Sequence, residues 1–290
     1  MANLKAIRKR IESVKNTQKI TRAMKMVAAA KLRKAQETVE SFRAYADLTS
    51  SILTEVATDK AASDHPLLKR RKPEKSLVVT IASDKGLCGG FNSNLCRDVQ
   101  RHVKEATPEP SISIIGRKAR DYFERRPVTI EKIYADVYEN PGYETAATIA
   151  RELAARYADG EVDRIELAFN EFVSMMSQRP AVRQLLPIVL PEKEEGQEDQ
   201  WVVPSDFIFE PGRAELLEKL LPQYVEVQVY RAIIESIAAE HAARMTAMDN
   251  ATSNAGEMID HLTLVYNRAR QSAITSELVD IVGGSEALND

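Results

Sequence analysis

Leu4 to Val56 reads LKAIRKRIESVKNTQKITRAMKMVAAAKLRKAQETVESFRAYADLTSSILTEV, a stretch that contains neither proline nor glycine. Because proline breaks helices and glycine weakens them, the stretch predicts one long helix, capped by Asn3. Its apolar residues recur at a mean step close to 3.5, which is the repeat of a coiled-coil seam. The predicted seam contains Leu4, Ile7, Ile11, Val14, Ile20, Met24, Val27, Val39, Phe42, Leu48, Ile52 and Val56.

The carboxyl-terminal part of the chain is also poor in proline and glycine. No proline follows Pro222, and after Gly212 only Gly256 and the Gly283-Gly284 pair occur. This predicts a second long helix that begins near Leu216, is kinked or restarted at Pro222, and stops at the glycine pair. Its seam is expected to contain Ile233, Ile237, Met245, Met248, Ile259, Leu262, Val265, Ala269 and Leu278.

Helix length predicts the shape. At ~1.5 Å per residue the two helices would be roughly 80 Å and 100 Å long. A compact middle of ~130 residues has a diameter of roughly 35 Å, too small to cover them. We therefore expect an antiparallel coiled coil that projects as a rod, with four segments along the chain: 1–58 and 212–290 as the coiled-coil helices, 59–76 as a linker, and 77–211 as a central domain.

The middle of the chain alternates strand and helix signals, which predicts an α/β domain with a mainly parallel, Rossmann-like sheet. The segment 192–199 is acidic and is expected to be an exposed loop. Strands are predicted at Leu77–Ala82, Ile112–Ile115, Val128–Ile133, Ile165–Phe169 and Val182–Leu190. Helices are predicted at Asn92–Glu105, between the second strand and Arg125, and at Glu144–Tyr157.

Composition excludes several classes of protein. With 44% hydrophobic and 29% charged residues, the chain is neither disordered nor embedded in a membrane. No apolar run approaches the ~18 residues that span a bilayer. The two cysteines, Cys88 and Cys96, cannot form a scaffold of disulfides, so a reducing compartment is expected.

No motif nominates a catalyst. The loop Gly86-Leu-Cys-Gly89-Gly90 after the first strand fits neither a P-loop nor the G-x-G-x-x-G spacing. It predicts a tight turn with positive φ, with a bound anion as the alternative. The four histidines are scattered. Cys88 could be reactive, but no histidine base lies near it in sequence, so a structural or incidental thiol is favoured over a reactive one. We expect no cofactor and no metal.

Charge and apolar residues are unevenly distributed. Residues 1–34 carry eleven lysines and arginines against one acid, Glu12, although the whole chain has a net charge of −3. A basic helix is either a solvated face or a surface for an acidic partner or phosphates, and missing aromatic residues disfavour nucleic acid. By contrast, residues 271–288 contain no lysine or arginine and are mostly small or apolar. They predict burial against the chain's own globule or in an apolar socket of another protein, and the rod's length favours the socket.

Four segments carry a resemblance to a known family. They are KNTQKITRAMKMVAAAKLRKAQ (15–36), SDKGLCGGFNSN (83–94), EHAARMTAMDNATSNA (240–255) and LVYNRARQSAITSELVDIVGG (264–284). Together they resemble the γ subunit of the rotary proton-translocating ATP synthase, and the resemblance covers essentially the whole chain. The departures are Ser285 where the family commonly has alanine, and the lack of an inserted cysteine-bearing regulatory segment.

The resemblance implies a non-catalytic rotor shaft that couples rotation of a membrane ring to ATP synthesis or hydrolysis at the β subunits. It implies a ring of α and β subunits, an ε subunit and a c-subunit ring as partners, one copy per complex, and no nucleic acid. It also implies a peripheral position on the cytoplasmic face of a bacterial plasma membrane.

The family's functional positions carry over residue by residue. The resemblance implies that Arg22, Met24, Lys25, Arg244, Arg270, Gln271 and Thr275 contact β subunits during coupling. It implies that Ile281, Val282 and Leu288 form the tip that turns in an apolar sleeve. Phe207 and Glu210 match the foot segment near the c ring and ε.

Two rival classes remain open from the residues alone. A scaffold protein that uses its basic helix on nucleic acid would bind DNA or RNA with a steep salt dependence. An enzyme of the dinucleotide-binding class, suggested only by the β-α-β pattern, would bind nucleotides in equilibrium dialysis.

Overall fold

The computed structural model describes residues 4–57, 65–189 and 212–286. They form two compact units: unit 1 comprises the described residues up to Ala28 and from Met245 onward, and unit 2 runs from Ala29 to Arg244. The four-segment division of the chain remains a prediction. The elements are α1 (Leu4–Val56), β1 (Ser76–Ile81), α2 (Phe91–Glu105), β2 (Ser111–Ile115), α3 (Arg117–Phe123), β3 (Ile130–Tyr134), α4 (Tyr143–Ala158), β4 (Arg164–Phe172), β5 (Gln178–Leu186) and α5 (Arg213–Glu286).

The two long helices form as expected, with corrections to the second. α1 covers the predicted range, whereas α5 begins slightly before Leu216 and runs through Pro222 without a restart. Leu221 and Val225, on either side of the proline, are completely buried. Tertiary packing of this kind can offset the hydrogen bond that proline removes. The helix also continues past Gly283-Gly284, because glycine lowers helix propensity by only ~1 kcal/mol and forbids nothing.

The sheet of unit 2 has the strand order β3-β2-β1-β4-β5 and is parallel except for its last strand. β5 is antiparallel because only residues 173–177 separate it from β4, too few for a crossover helix. β5 begins at Gln178, four residues before the predicted start. Pro180, Arg179 and Arg183 hide the strand signal, but such residues are common on edge strands.

Alternate residues of β1 feed two cores. Leu77, Val79 and Ile81 pack in the larger cluster with α4, the end of α1 and the beginning of α5. Val78, and Ala82 directly after the strand, pack on the opposite face, against α2 and α3. Helices therefore cover both faces of the sheet, as a buried parallel sheet requires.

Along the chain, β2 and β3 are added on one side of β1, and β4 and β5 on the other, so the switch point lies between β1 and β4. These two strands are parallel, so their carboxyl ends lie at the same edge of the sheet. In doubly wound sheets this switch point is where nucleotides usually bind. Here Cys88 and Phe91, which follow β1, pack against Ala239 of α5, with Phe172 and Ala243 beside them. A helix of the chain itself therefore fills the position of a nucleotide crevice.

Candidate functional surfaces

Unit 1 is a pair of antiparallel helix segments joined by a regular seam. Successive seam positions lie three and four residues apart, the heptad pattern of a coiled coil. On α1 the buried or half-buried positions are Leu4, Ile7, Ile11, Val14, Gln18, Thr21, Lys25 and Ala28. On α5 they are Met245, Met248, Thr252, Ala255, Ile259, Leu262, Tyr266, Ala269 and Ala273.

The seam of unit 1 contains a polar layer. Thr21 Oγ1 and Thr252 Oγ1 lie 2.8 Å apart, and Gln18 donates from Nε2 to the carbonyl of Thr252 at 3.3 Å. Lys25 Nζ lies 2.6 Å from Asp249 Oδ1, although the two side chains are 40% and 57% exposed. An exposed pair of this kind contributes little stability. Polar seam residues can instead specify register.

The polar layer corrects the predicted seam. Ile20 and Val27 were expected inside, but they are 61% and 57% exposed, and Met24 is only half-buried. Their places in the repeat are taken by Thr21 and Ala28, which are both buried. The prediction followed the largest apolar residues, whereas the continuous three-and-four spacing through the polar positions identifies the true seam.

An apolar face therefore points outward from unit 1. Ile20, Ala23 and Val27 lie three and four residues apart, so they share one side of α1. We call these three residues the α1 outer face. Arg22 is exposed beside them. A helix that exposes such residues carries the signature of a protein-binding surface.

Residues 274–282 near the end of α5 also expose large apolar side chains. The pairing of Lys25 with Asp249 sets an antiparallel register in which Leu4 lies opposite Ala269 or Arg270. Residues after Ala273 therefore lie past the first described residue of α1. Large side chains that are 49–68% exposed follow: Ile274, Leu278, Val279, Ile281 and Val282. We call residues 274–282 the α5 end segment.

Three predicted coupling residues lie in the α5 end segment or just before it. Arg270 and Gln271 are exposed, and Thr275 is exposed and donates its hydroxyl to the carbonyl of Gln271 at 2.9 Å. Of the predicted tip residues, Ile281 and Val282 are exposed, while Leu288 lies outside the described residues. The predicted foot residues Phe207 and Glu210 also lie outside them.

In unit 2 the glycine-rich loop, residues 83–90, connects β1 to α2 and is held by hydrogen bonds of Ser83 and of Asn92 on α2. Asn92 Oδ1 accepts from the Ser83 backbone at 3.0 Å, and Ser83 Oγ donates to the carbonyl of Lys85 at 2.7 Å. The predicted positive φ is found at Gly89 (58°) and, unexpectedly, at Leu87 (62°). Leu87 is 64% exposed, so the loop displays a large apolar side chain.

Arg244 of α5 contacts this loop. Its Nη2 lies 2.6 Å from Glu240 Oε1, 3.2 Å from the carbonyl of Gly86 and 3.5 Å from the carbonyl of Lys85. The side chains of Arg244 and Glu240 are only 12% and 6% exposed. Burial raises the pKa of Glu240, while the guanidinium of Arg244 opposes that shift. The sequence indicated Arg244 as a contact residue but did not indicate its partner Glu240.

Burial disfavours the charged forms of both Cys88 in the loop and His241 on α5. Burial raises the pKa of the Cys88 thiol, which would hinder formation of a thiolate. His241 Nδ1 is buried without a hydrogen-bond partner in the structure, and burial lowers the His241 pKa to about 4. Within the described ranges, no group of three or more histidine, cysteine or acidic side chains is arranged to hold a metal ion.

Comparisons with known proteins agree on one class. A family model described as ATP synthase matches residues 3–288. The ATP synthase gamma chain of Geobacter metallireducens is 49% identical over 291 residues, covering 99% of each chain. The same-named chain of Pelotomaculum thermopropionicum is 47% identical, covering 99% of this chain and 100% of that one.

Solved structures give the same answer. The central stalk and c-ring structure of the Tetrahymena thermophila mitochondrial ATP synthase contains a chain with a TM-score of 0.60 and 27% identity, covering 80% of this chain and 99% of that one. A rotor chain of the Euglena gracilis mitochondrial ATP synthase has a TM-score of 0.64 at 20% identity, covering 93% and 98%, which shows the fold alone.

These likenesses define a class: a non-catalytic rotor subunit of the central stalk of a rotary enzyme complex. The chain belongs to the ATP synthase gamma chain family, as the four sequence segments predicted. In the part of the chain that the structure describes, no helix combines the length and hydropathy needed to cross a bilayer.

Proposed function

We propose that this chain turns as the asymmetric shaft inside a ring of α and β subunits, one copy per complex, and that ε and a ring of c subunits attach at its foot. Rotation would be driven by protons crossing the cytoplasmic membrane of a bacterium, with the chain peripheral to it. The family supports membership of the complex, and the finer partners and location are our inference.

The observation that carries the proposal is the exposure of large apolar side chains on the helix pair of unit 1. The α1 outer face and the α5 end segment would be unfavourable in water, but they fit a chain that is enclosed by other subunits. Antiparallel pairing makes the two sides of the shaft chemically different. Each β subunit would then meet a different surface as the shaft turns.

The contact residues divide by chemistry. Arg22, Met24 and Lys25 would face an acidic loop of β, since the basic residues complement it and Met24 is only half-buried. Arg270, Gln271 and Thr275 are exposed polar residues suited to hydrogen bonds with a second β surface. Ile281, Val282 and Leu288 would turn in an apolar sleeve. Phe207 and Glu210 would form the contact with the c ring and ε.

Substitution Met24→Lys tests the proposal. A new cation beside an acidic β loop would hold the shaft too tightly in one orientation, so we expect fewer protons pumped per ATP hydrolysed in reconstituted vesicles. Assembly, measured by co-purification with α, β and ε, should change little. The matched control is Asn140→Lys, which adds the same charge at an exposed turn of unit 2. Unchanged coupling in Met24→Lys would exclude this contact.

A further inference from the structure

The glycine-rich loop is held from several directions. Besides the Ser83 and Asn92 hydrogen bonds, the carboxylate of Asp84 accepts from the Arg117 backbone at 2.9 Å. Asn92 Nδ2 also lies 3.3 Å from Cys88 Sγ. Surface loops are usually mobile. This loop is restrained by hydrogen bonds within itself and to residues of α2 and α3, so its conformation is preorganised.

Leu87 shows what this organisation maintains. Its φ of 62° lies in the left-handed region, which non-glycine residues seldom adopt. Such a conformation persists only where the surroundings hold it, and residues of this kind cluster at binding and switch sites. At 64% exposure, the Leu87 side chain is presented outward and contributes little to the core.

Arg244 on α5 donates hydrogen bonds to this loop. Its guanidinium bridges a buried carboxylate, Glu240, and the backbone carbonyls of Lys85 and Gly86. A planar guanidinium can make several directed bonds at once, whereas a lysine ammonium is a compact point charge on a flexible stem. Glu240 in turn keeps the buried cation paired.

We propose that Arg244, supported by Glu240, is a positioning residue that fixes the glycine-rich loop so that Leu87 is presented to the surrounding ring. This rests on the proposed function and revises one implication of the resemblance, which was a direct contact of Arg244 with a β subunit. Arg244 affects coupling through the loop and makes no direct contact with a β subunit, since its side chain is only 12% exposed and its bonds are internal.

The first test measures the loop in the full-length chain alone. Cys88 is buried within the loop, so its rate of labelling by N-ethylmaleimide, followed by peptide mass spectrometry, reports loop opening. Arg244→Gln is expected to raise that rate about tenfold, because two carbonyls and a carboxylate lose their charged donor. Arg244→Lys should give an intermediate rate.

Two controls isolate the effect. Arg231 also makes an i,i+4 ion pair on the same helix, with Glu235, at 3.1 Å. Arg231→Gln should change Cys88 labelling less than about twofold. Cys96 is buried in the opposite core and should stay unlabelled in every variant. Equal labelling of Cys88 in Arg244→Gln and Arg231→Gln would overturn the proposal.

The second test uses the reconstituted complex. Arg244→Gln and Leu87→Ala should each lower the protons pumped per ATP hydrolysed, and the double variant should be no worse than the more impaired single variant. Effects that multiply would mean that Arg244 acts by its own contact, which contradicts the proposal. Full coupling in both single variants would overturn the loop's role in coupling. The labelling result would still decide whether Arg244 fixes the loop. Failure of this positioning role can therefore be distinguished from failure of the loop's role in coupling.

Discussion

α1 carries the same three-and-four repeat in both units, but its residues are buried differently. In unit 2, Leu53 and Val56 are almost completely buried because they also pack into the main core. In unit 1, Leu4, Ile7 and Ile11 are only half-buried, since one facing helix segment cannot cover a whole side chain. The comparison teaches that a heptad pattern predicts which helix residues face a partner helix. How much each of these residues stabilises the fold depends on how many other elements pack around it.

Truncation of one leucine in each unit tests this comparison most strongly. Leu53→Ala should lower the free energy of unfolding by about 2–5 kcal/mol, because it leaves a cavity in the main core. Leu4→Ala should cost about 1 kcal/mol, since its side chain is already partly hydrated. Urea denaturation of the full-length chain measures both. Similar losses would mean that burial in the two units does not differ in energy.

Neighbouring residues on α1 give the next largest effect. Ala28→Asp places a charge at a buried seam position and should destabilise by about 3 kcal/mol. Val27→Asp adds the same charge at an exposed position and should change stability by less than about 0.5 kcal/mol. Denaturation of the two variants provides the measurement. A larger loss of stability in Val27→Asp than in Ala28→Asp would support the seam predicted from the largest apolar residues.

His241 extends the comparison to buried polar groups in unit 2. Its pKa is lowered to about 4 in the folded chain, against an ordinary value near 6.5. Between these values the unfolded state binds more protons, so the contribution of His241 to stability is complete above pH 6.5 and is lost as pH falls toward 4. The slope is at most ~1.4 kcal/mol per pH unit.

Denaturation at several pH values, with His241→Gln as the reference, measures this slope. We expect the wild-type chain to lose stability more steeply than the variant below pH 6.5. Parallel curves would show that burial does not disfavour the charged imidazole.

The smallest effect is expected at the exposed pair of unit 1. A double-mutant cycle on Lys25 and Asp249, with Lys25→Met and Asp249→Asn, should give a coupling energy of about 0.2–1 kcal/mol that shrinks with added salt. A coupling energy of several kcal/mol would show that this pair, and not the apolar seam, holds unit 1 together.

Much of the fold could be predicted from local signals. The missing prolines and glycines predicted α1 closely, and the β-α-β alternation predicted the parallel strands. The edge strand β5 was placed too late because its polar and proline residues have meaning only once β4 is known to be its single neighbour. Pro222 likewise looked like a break, since the buried residues around it cannot be recognised without the core.

The functional residues divide in the same way. Lys25 and Arg244 were indicated by resemblance, but the pairing of each with an acid on α5 was not. Neither Leu87 nor Glu240 has a signal of its own in the sequence: the first is distinguished by its φ angle and the second by its burial. Both are properties of the folded backbone.

The sequence by itself determined the long helices, the α/β order of the middle and membership of the gamma chain family, because breakers, periodicity and motifs are read along the chain. Only the tertiary structure decided that Thr21 and Ala28 form the seam while Ile20 and Val27 point outward, and that Arg244 reaches back to the glycine-rich loop. Which face of a helix is covered depends on what lies opposite it, and residues more than 150 positions away in sequence supply that surface.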